Sequence, residues 1–230
     1  GRLMRPIFRR TIFAILAALI LFGACLMLRL SLPYTAFNRY TDFLMTKQLV
    51  YHISHWRISF YVHVFVSTIV LVAGLLQCSM HLLSRYPRLH QYSGKIYVVT
   101  VLFFSGPAGL VMSFYANGGL PARISFVLLS ILWLGTTYAG WRYALQRHWK
   151  DHGQMMLRSY ALALSALTLR LYAYLIAALH IPLHPVAAYI SISWLSWTLN
   201  LLVVEILIRN HYLIPSKADC FTKCPSSDRL

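Results

Sequence analysis

The apolar residues of this chain are gathered into six long runs that are separated by short polar stretches. Each run is long enough to cross roughly 30 Å of hydrocarbon at about 1.5 Å per helical residue. The six runs are Thr11–Leu28, Ile58–Leu83, Lys95–Tyr115, Ile124–Leu145, Met155–Leu179 and Val186–Ile208. The pattern predicts an all-α, polytopic integral membrane protein built as a bundle of six transmembrane helices.

Glycine and proline mark where these helices are expected to turn or bend. Gly118-Gly119-Leu120-Pro121 predicts a tight turn, and residues 181–185 predict another. Gly106-Pro107 lies inside the third run, where neighbouring helices can satisfy the carbonyl that a proline frees, so we expect a kink there. The longest connection, Ser31–Arg57, mixes apolar and polar residues and is predicted to be partly helical at the membrane interface.

We divide the chain into three parts on this pattern. Residues 1–57 are predicted to form the first transmembrane helix and an outer interfacial connection, residues 58–209 a five-helix transmembrane bundle, and residues 210–230 a cytoplasmic tail. The first run is interpreted as a membrane span rather than a cleaved signal, because no small-residue cleavage pattern follows Leu28.

Composition and charge support the membrane interpretation. The chain is 59% hydrophobic and only 11% charged, whereas soluble domains carry about 25% charged residues. Its net charge of +16 comes from 21 Lys and Arg against 5 Asp and Glu. The basic residues form short clusters between apolar runs, which is typical of contact with anionic lipid head groups. The predicted partner is therefore the lipid bilayer, and no nucleic acid is expected.

The distribution of basic residues also predicts an orientation. If the N-terminus faces the cytoplasm, 14 of the 21 Lys and Arg lie in inner segments and 5 in outer ones. Cytoplasmic segments are normally the ones enriched in Lys and Arg. We therefore expect both termini to be cytoplasmic.

Ionisable residues in or beside the predicted spans fall into two groups by depth, and Met156 lies with the inner group. They are costly in hydrocarbon, so each is a candidate functional residue. The outer group is His63 and Arg170. The inner group consists of His81, His90, His152, Met156 and Glu205.

A polar pocket is predicted at the inner group, where the second, third, fifth and sixth runs meet. His90, His152 and Glu205 are expected to line it. Glu205 is the only acidic residue in any run, so we expect it to pair with His90, His152 or Arg158. His152 and Arg170 are 18 residues apart, or about five whole turns, and therefore share one helix face.

The part of the chain from His63 to Glu205 also carries a series of motifs. They include Gly74-Leu75-Leu76-Gln77, residues 85–97, Trp133-Leu134-Gly135-Thr136-Thr137, residues 152–160, Thr168-Leu169-Arg170-Leu171 and Trp194-Leu195-Ser196-Trp197. In these motifs the chain resembles a family of bacterial predicted membrane proteins catalogued as a domain of unknown function, number 2306. The resemblance implies a helical bundle in the bacterial inner (cytoplasmic) membrane and brings no established reaction. Where the family has a His-Arg pair, this chain has His90-Gln91.

The leading functional hypothesis is a membrane redox component that holds haem b or a quinone in a His-lined pocket. Haem b needs two axial ligands on facing helices. His90 and His152 are the candidate ligands of the haem iron, and Met156 offers a His/Met alternative. The predicted cofactor-binding set comprises His63, His90, His152, Met156, Arg170 and Glu205.

Three other hypotheses stay open at this point. The chain could be a non-catalytic accessory or assembly subunit whose polar residues pair with helices of other subunits in a larger membrane complex. It could be a small transporter, with the fifth run lining the path. Zinc on His81, His90 and His152 with Glu205 is suitable chemistry. Whether the protein is an enzyme is not decided by the sequence.

Overall fold

A computed structural model describes residues 4–210 of the chain, apart from the side chains of residues 4–10, 80 and 81. The predicted tail, except residue 210, therefore lies outside the described residues. The α-helices are α1 (Met4–Ser31), α2 (Ser54–Gln77), α3 (Met80–Arg85), α4 (Pro87–Val99), α5 (Gly106–Ser113), α6 (Gly119–Leu145), α7 (Trp149–Ala163), α8 (Ser165–Ala178) and α9 (Pro185–Arg209). Two 3-10 helices, Leu32–Ala36 and Asp42–Lys47, follow α1, and a π-helix, Thr100–Ser105, joins α4 to α5.

These elements form six helical passes, each long and apolar enough to cross a membrane. The predicted all-α bundle of six transmembrane helices is thereby confirmed, and the described part of the chain contains no strand. The third pass consists of α4, the π-helix and α5, and the fifth pass consists of α7 and α8. We call the end of the bundle that holds residues 32–53 the outer end, after the predicted orientation, and the opposite end the inner end.

The second pass ends earlier than the apolar run suggests. The run continues to Leu83, but α2 ends at Gln77 and α3 begins at Met80 as a separate short helix. Ser79 explains the break, because its hydroxyl accepts a hydrogen bond from the amide of Leu82 and so caps the new helix.

The irregularity in the third pass lies just before the predicted kink. The π-helix ends at Ser105, directly before Gly106-Pro107. Proline has no amide hydrogen to donate to the preceding turn, and a π-turn accommodates such a gap by widening the helix. The backbone amide of Gly106 accordingly bonds the carbonyl of Val101, five residues back.

The bundle core consists of aromatic and small residues from five passes. Tyr97, Trp133, Tyr160 and Trp197 are buried together in it. The Tyr160 hydroxyl donates to the carbonyl of Leu71, 2.9 Å away, and its ring occupies the space beside Gly74 that a methyl group would fill. Small residues at such helix contacts are typical of membrane bundles, because they let helices approach closely.

The outer end is covered by the segment of residues 32–53, which we call the outer segment. Tyr34 and Leu44 of this segment are buried against Trp56 and Phe60 of α2. The prediction of a partly helical connection agrees with its two 3-10 helices. The outer segment therefore packs against the outer end of the bundle.

Candidate functional site

A cavity of about 210 Å³ lies beneath the outer segment, between α2, α5, α6, α8 and the start of α9. Its polar lining includes Lys47, His63, Ser67, Ser130, Arg170 and Tyr189. The remaining wall is mostly apolar and includes Trp56, Leu129 and Trp133. Sites that bind small molecules commonly have this composition, with a few polar groups on an apolar wall.

The two polar residues predicted for the outer locus, His63 and Arg170, both line this cavity. His63 lies nine residues after the start of α2, and Arg170 eight residues before the end of α8. At about 1.5 Å per residue these offsets place both roughly 12–14 Å from the outer ends of their helices. The cavity therefore reaches into the membrane-spanning part of the bundle.

Hydrogen bonds hold the His63 ring from one side. Its Nδ1 lies 3.0 Å from the Ser105 carbonyl oxygen and 3.4 Å from the Ser105 hydroxyl. The carbonyl can only accept, so we assign the proton to Nδ1, and Nε2 is then the acceptor of a neutral ring. Among the described residues Nε2 has no hydrogen-bond partner. The free nitrogen of His63 is therefore available to a ligand.

The π-helix supplies these contacts to His63. Ser105, its last residue, is fully buried and its hydroxyl also lies 3.1 Å from that of Ser67 on α2. Gly109, one turn later, leaves space beside the ring: a methyl group there would lie 3.3 Å from the His63 Cε1 atom. The irregular third pass thus both positions the imidazole and opens the cavity next to it.

Arg170 lies among neutral groups. Its Nη1 donates to the carbonyl of Ala166, 2.8 Å away on the same helix. The side chain is close enough to Tyr34, Tyr189 and His63 to interact with them electrostatically. Protein atoms lie close around the guanidinium, but the residue as a whole is exposed, as expected for a side chain that faces an open cavity.

Lys47 is a second cation at this cavity, and only 5% of it is exposed. Its Nζ donates to the carbonyl of Tyr115 at 2.5 Å and to the Asn117 Oδ1 at 2.6 Å, and it lies 5.5 Å from the centre of the Phe43 ring. Burial, with a smaller contribution from the positive charge of Arg123, lowers the pKa of Lys47 to about 8. These contacts tie the outer segment to the turn after α5.

The inner end has a different arrangement. The guanidinium of Arg158 in α7 donates to both carboxylate oxygens of Glu205 in α9: Nε lies 3.0 Å from Oε2 and Nη2 lies 3.1 Å from Oε1. Arg209 adds a second cation 3.5 Å from the same carboxylate. Of the three partners expected for Glu205, Arg158 is the one that the structure assigns. The carboxylate joins α7 to α9.

The inner histidines lie near each other but do not assemble a metal site with Glu205. The Nδ1 of His152 lies 2.8 Å from the carbonyl oxygen of Gly140, and Met156, one turn later, packs against that same glycine. His90 is close enough to His152 to interact electrostatically, and its Nδ1 is buried without a partner among the described residues. No group of three His, Cys, Asp or Glu able to hold a metal occurs in the described part of the chain. The side chain of His81 lies outside it.

Buried hydroxyl groups lie between the two regions. The Tyr97 hydroxyl is 2.8 Å from that of Ser159, which is 2.6 Å from that of Thr137. Each of these three side chains is almost fully buried. Direct hydrogen bonds thus join the helices at this level, whereas a cavity remains between the helices in the outer half.

Several residues at or beside the cavity were not among those predicted from the sequence, and Lys47, Trp133 and Ser105 are three of them. Lys47 was counted only as a basic residue of the outer connection, although it stands among the apolar residues Leu44, Met45 and Leu49. That local pattern is the signal that could have marked it as buried. Trp133 and Ser105 had no such signal, because a tryptophan or a serine in a span is usually a packing residue.

A family model described as a predicted membrane protein (DUF2306) matches residues 60–208, which is more than half of the chain. The match begins near the start of the second pass and ends at the last turn of α9. It includes His63, Arg170 and the inner group of polar residues, and it leaves out Lys47. No curated protein and no solved structure matches the chain.

Proposed function

We propose that the chain, which belongs to this family of predicted membrane proteins, binds the head group of a quinone in its outer cavity as a component of membrane electron transport. The observation that carries the proposal is the convergence of His63 and Arg170 from two helices on one cavity with apolar walls. We further propose the bacterial inner membrane as its location, with both termini in the cytoplasm.

The side chains at the cavity suit the chemistry of a quinone ring. The ring carbonyl oxygens accept hydrogen bonds, and the Arg170 guanidinium donates them. Negative charge forms on these oxygens when the quinone is reduced, and a nearby guanidinium favours that form. Nε2 of His63 can accept a proton from a quinol hydroxyl, while Nδ1 stays bonded to Ser105.

The volume of the cavity favours a quinone over haem b. Pockets for drug-sized ligands measure about 300–1,000 Å³, and this cavity measures about 210 Å³. A single ring with its substituents suits that volume, whereas a porphyrin of four pyrrole rings is too large for it. His63 is also the only histidine that lines this cavity among the described residues, and a bis-histidine haem needs two.

Tryptophan fluorescence tests the proposal directly, because Trp56 and Trp133 line the cavity. Purified protein in lipid nanodiscs is titrated with a short-tailed quinone, and saturable quenching is expected. His63→Ala and Arg170→Gln are each expected to weaken binding about tenfold or more. His52→Ala and Arg142→Gln, which remove the same groups from positions that do not line the cavity, serve as matched controls. Equal affinity of all four variants and the wild type would contradict the proposal.

An accessory or assembly subunit is the second candidate function. The contact that favours it is the pairing of Glu205 with Arg158 and Arg209, which uses the carboxylate inside the protein. A scaffold predicts such internal pairing and needs no small ligand. Well-folded wild-type protein that binds no quinone, but retains other subunits when purified from native membranes, would favour this function over quinone binding.

A further inference from the structure

The two cations at the outer cavity have no carboxylate partner. The described part of the chain contains three acidic residues, Asp42, Asp151 and Glu205, and its two ion pairs both involve Glu205 at the inner end. None of the three lines the cavity. Buried or membrane-embedded cations normally have an anion or water nearby. Lys47 and Arg170 therefore leave the cavity with uncompensated positive charge.

Their hydrogen-bonding capacity is also only partly used. An ammonium group has three donors and a guanidinium has five. Two donors of Lys47 are used, by Tyr115 and Asn117, and one bond from Arg170 is made, to Ala166. Both side chains line the cavity, so their remaining donors are available to oxygen atoms placed inside it.

The neutral His63 ring completes the arrangement. Its Nδ1 is bonded to the Ser105 carbonyl. An imidazole is neutral or positively charged, so it does not balance the charge of the two cations. Tyr189, which also lines the cavity, is a neutral phenol. The apolar walls formed by Leu129, Trp133 and their neighbours would not suit a hydrated inorganic ion.

We infer that the cavity selects an amphiphile whose head group is an oxyanion, held between Lys47 of the outer segment and Arg170 of α8, with its apolar body against Leu129 and Trp133. The inference takes the cavity of the proposed function as its site and narrows the class of ligand. For a quinone, the oxyanion is an ionised ring hydroxyl. A carboxylate or a phosphate on an alkyl chain presents the same chemistry.

A matched pair of ligands tests the charge requirement. One is 2-hydroxy-1,4-naphthoquinone with a short alkyl tail, which is ionised at neutral pH, and the other is its neutral 2-methoxy counterpart. Wild-type protein in nanodiscs is expected to bind the hydroxy compound at least about tenfold more tightly. The preference is expected to fall below about threefold in Arg170→Gln and in Lys47→Met, and to return partly in Arg170→Lys. Equal affinities in the wild type would overturn the inference.

A second series of ligands separates this inference from the proposed function. Dodecanoate and dodecyl phosphate are compared with dodecanol by isothermal titration calorimetry in the same nanodiscs, because an alkyl chain does not quench tryptophan. Binding of the two anions without binding of either quinone would support the oxyanion inference and contradict quinone binding. Binding of both quinones with equal affinity, together with binding of dodecanol as tight as that of the anions, would leave quinone binding in place and overturn the inference.

Lys47→Met removes contacts that tie the outer segment to Tyr115 and Asn117, so this variant is first checked for thermal stability. Arg170→Gln loses only a bond within its own helix and gives an independent result if Lys47→Met does not fold. If Lys47→Met does not fold, loss of the preference for the anion in Arg170→Gln is sufficient to support the inference. Retention of the full preference in Arg170→Gln contradicts it.

Discussion

The two ends of the bundle use similar polar residues in opposite ways. At the inner end, Arg158 finds a carboxylate on the neighbouring helix, and between the two ends the hydroxyl groups of Tyr97, Ser159 and Thr137 bond one another. At the outer end, Arg170 and Lys47 donate hydrogen bonds only to neutral groups, and a cavity of about 210 Å³ separates the helices. Internal pairing makes the inner end a structural element, and its absence at the outer end is the reason we propose a binding site there.

The largest expected effect contrasts two glycines. A methyl group at Gly74 would overlap the buried ring of Tyr160, whereas at Gly109 it would lie 3.3 Å from His63 at the edge of the cavity. We expect Gly74→Ala to destabilise the protein by about 2 kcal/mol or more, because overpacking a core typically costs 1–3 kcal/mol. Gly109→Ala is expected to cost under about 1 kcal/mol but to weaken ligand binding. Thermal unfolding and the quenching assay measure both, and the same loss of stability in both variants would contradict the contrast.

The next effect compares the loss of a charge at each end. Glu205→Gln leaves Arg158 without its carboxylate, and we expect a loss of about 1–2 kcal/mol, since the pair is partly exposed. Arg170→Gln breaks no ion pair, so the stability of the ligand-free protein is expected to stay the same or to rise. Unfolding in detergent with Glu205→Gln, Arg158→Gln and the double variant gives the coupling energy. A larger loss from Arg170→Gln than from Glu205→Gln would refute the assignment of the two ends.

A smaller effect concerns the hydroxyl cluster. Tyr97→Phe removes one hydroxyl from the pair with Ser159, and we expect a loss of about 1 kcal/mol, the usual net value of a buried hydrogen bond. Ligand affinity in the outer cavity should not change, because Tyr97 does not line it. A change in affinity without a change in stability would show that the two regions are functionally coupled.

The last effect is a pH dependence of stability at Lys47. Burial lowers the pKa of this residue to about 8 in the folded protein, from an ordinary value of 10.5. Between these values the unfolded chain holds the proton and the folded chain does not, so the stability of the wild type relative to Lys47→Met should rise as pH increases from 8 to 10. The charged and titratable residues nearby are Arg123, which contributes to the shift, and Arg170 and His63 at the same cavity.

The affinity for an anionic ligand should change in the opposite direction. As pH rises through about 8, Lys47 loses its charge and a severalfold loss of affinity is expected, since one of the two cations remains. The hydroxynaphthoquinone is ionised over the whole range and so serves as the probe. An affinity that falls equally in Lys47→Met would assign the pH dependence to another group.

The number and order of the passes could be predicted from the sequence, because long apolar runs leave little choice of structure in a membrane. The grouping of His63 and Arg170 in one outer polar locus could also be predicted, since both residues lie deep within predicted spans. The role of Lys47 was not, because it depends on how the outer segment folds back over the helices. Likewise, whether Glu205 pairs with Arg158 or with a histidine depends on the rotation of α7 against α9. The periodicity of the sequence does not determine that rotation.

Native mass spectrometry of the protein released from mild detergent is the most direct test of the central claim. The account predicts that wild-type protein retains one acidic, lipophilic molecule per chain, that Arg170→Gln loses it, and that Glu205→Gln keeps it. Wild-type protein without any such molecule, or with one that Arg170→Gln retains equally well, would contradict the account.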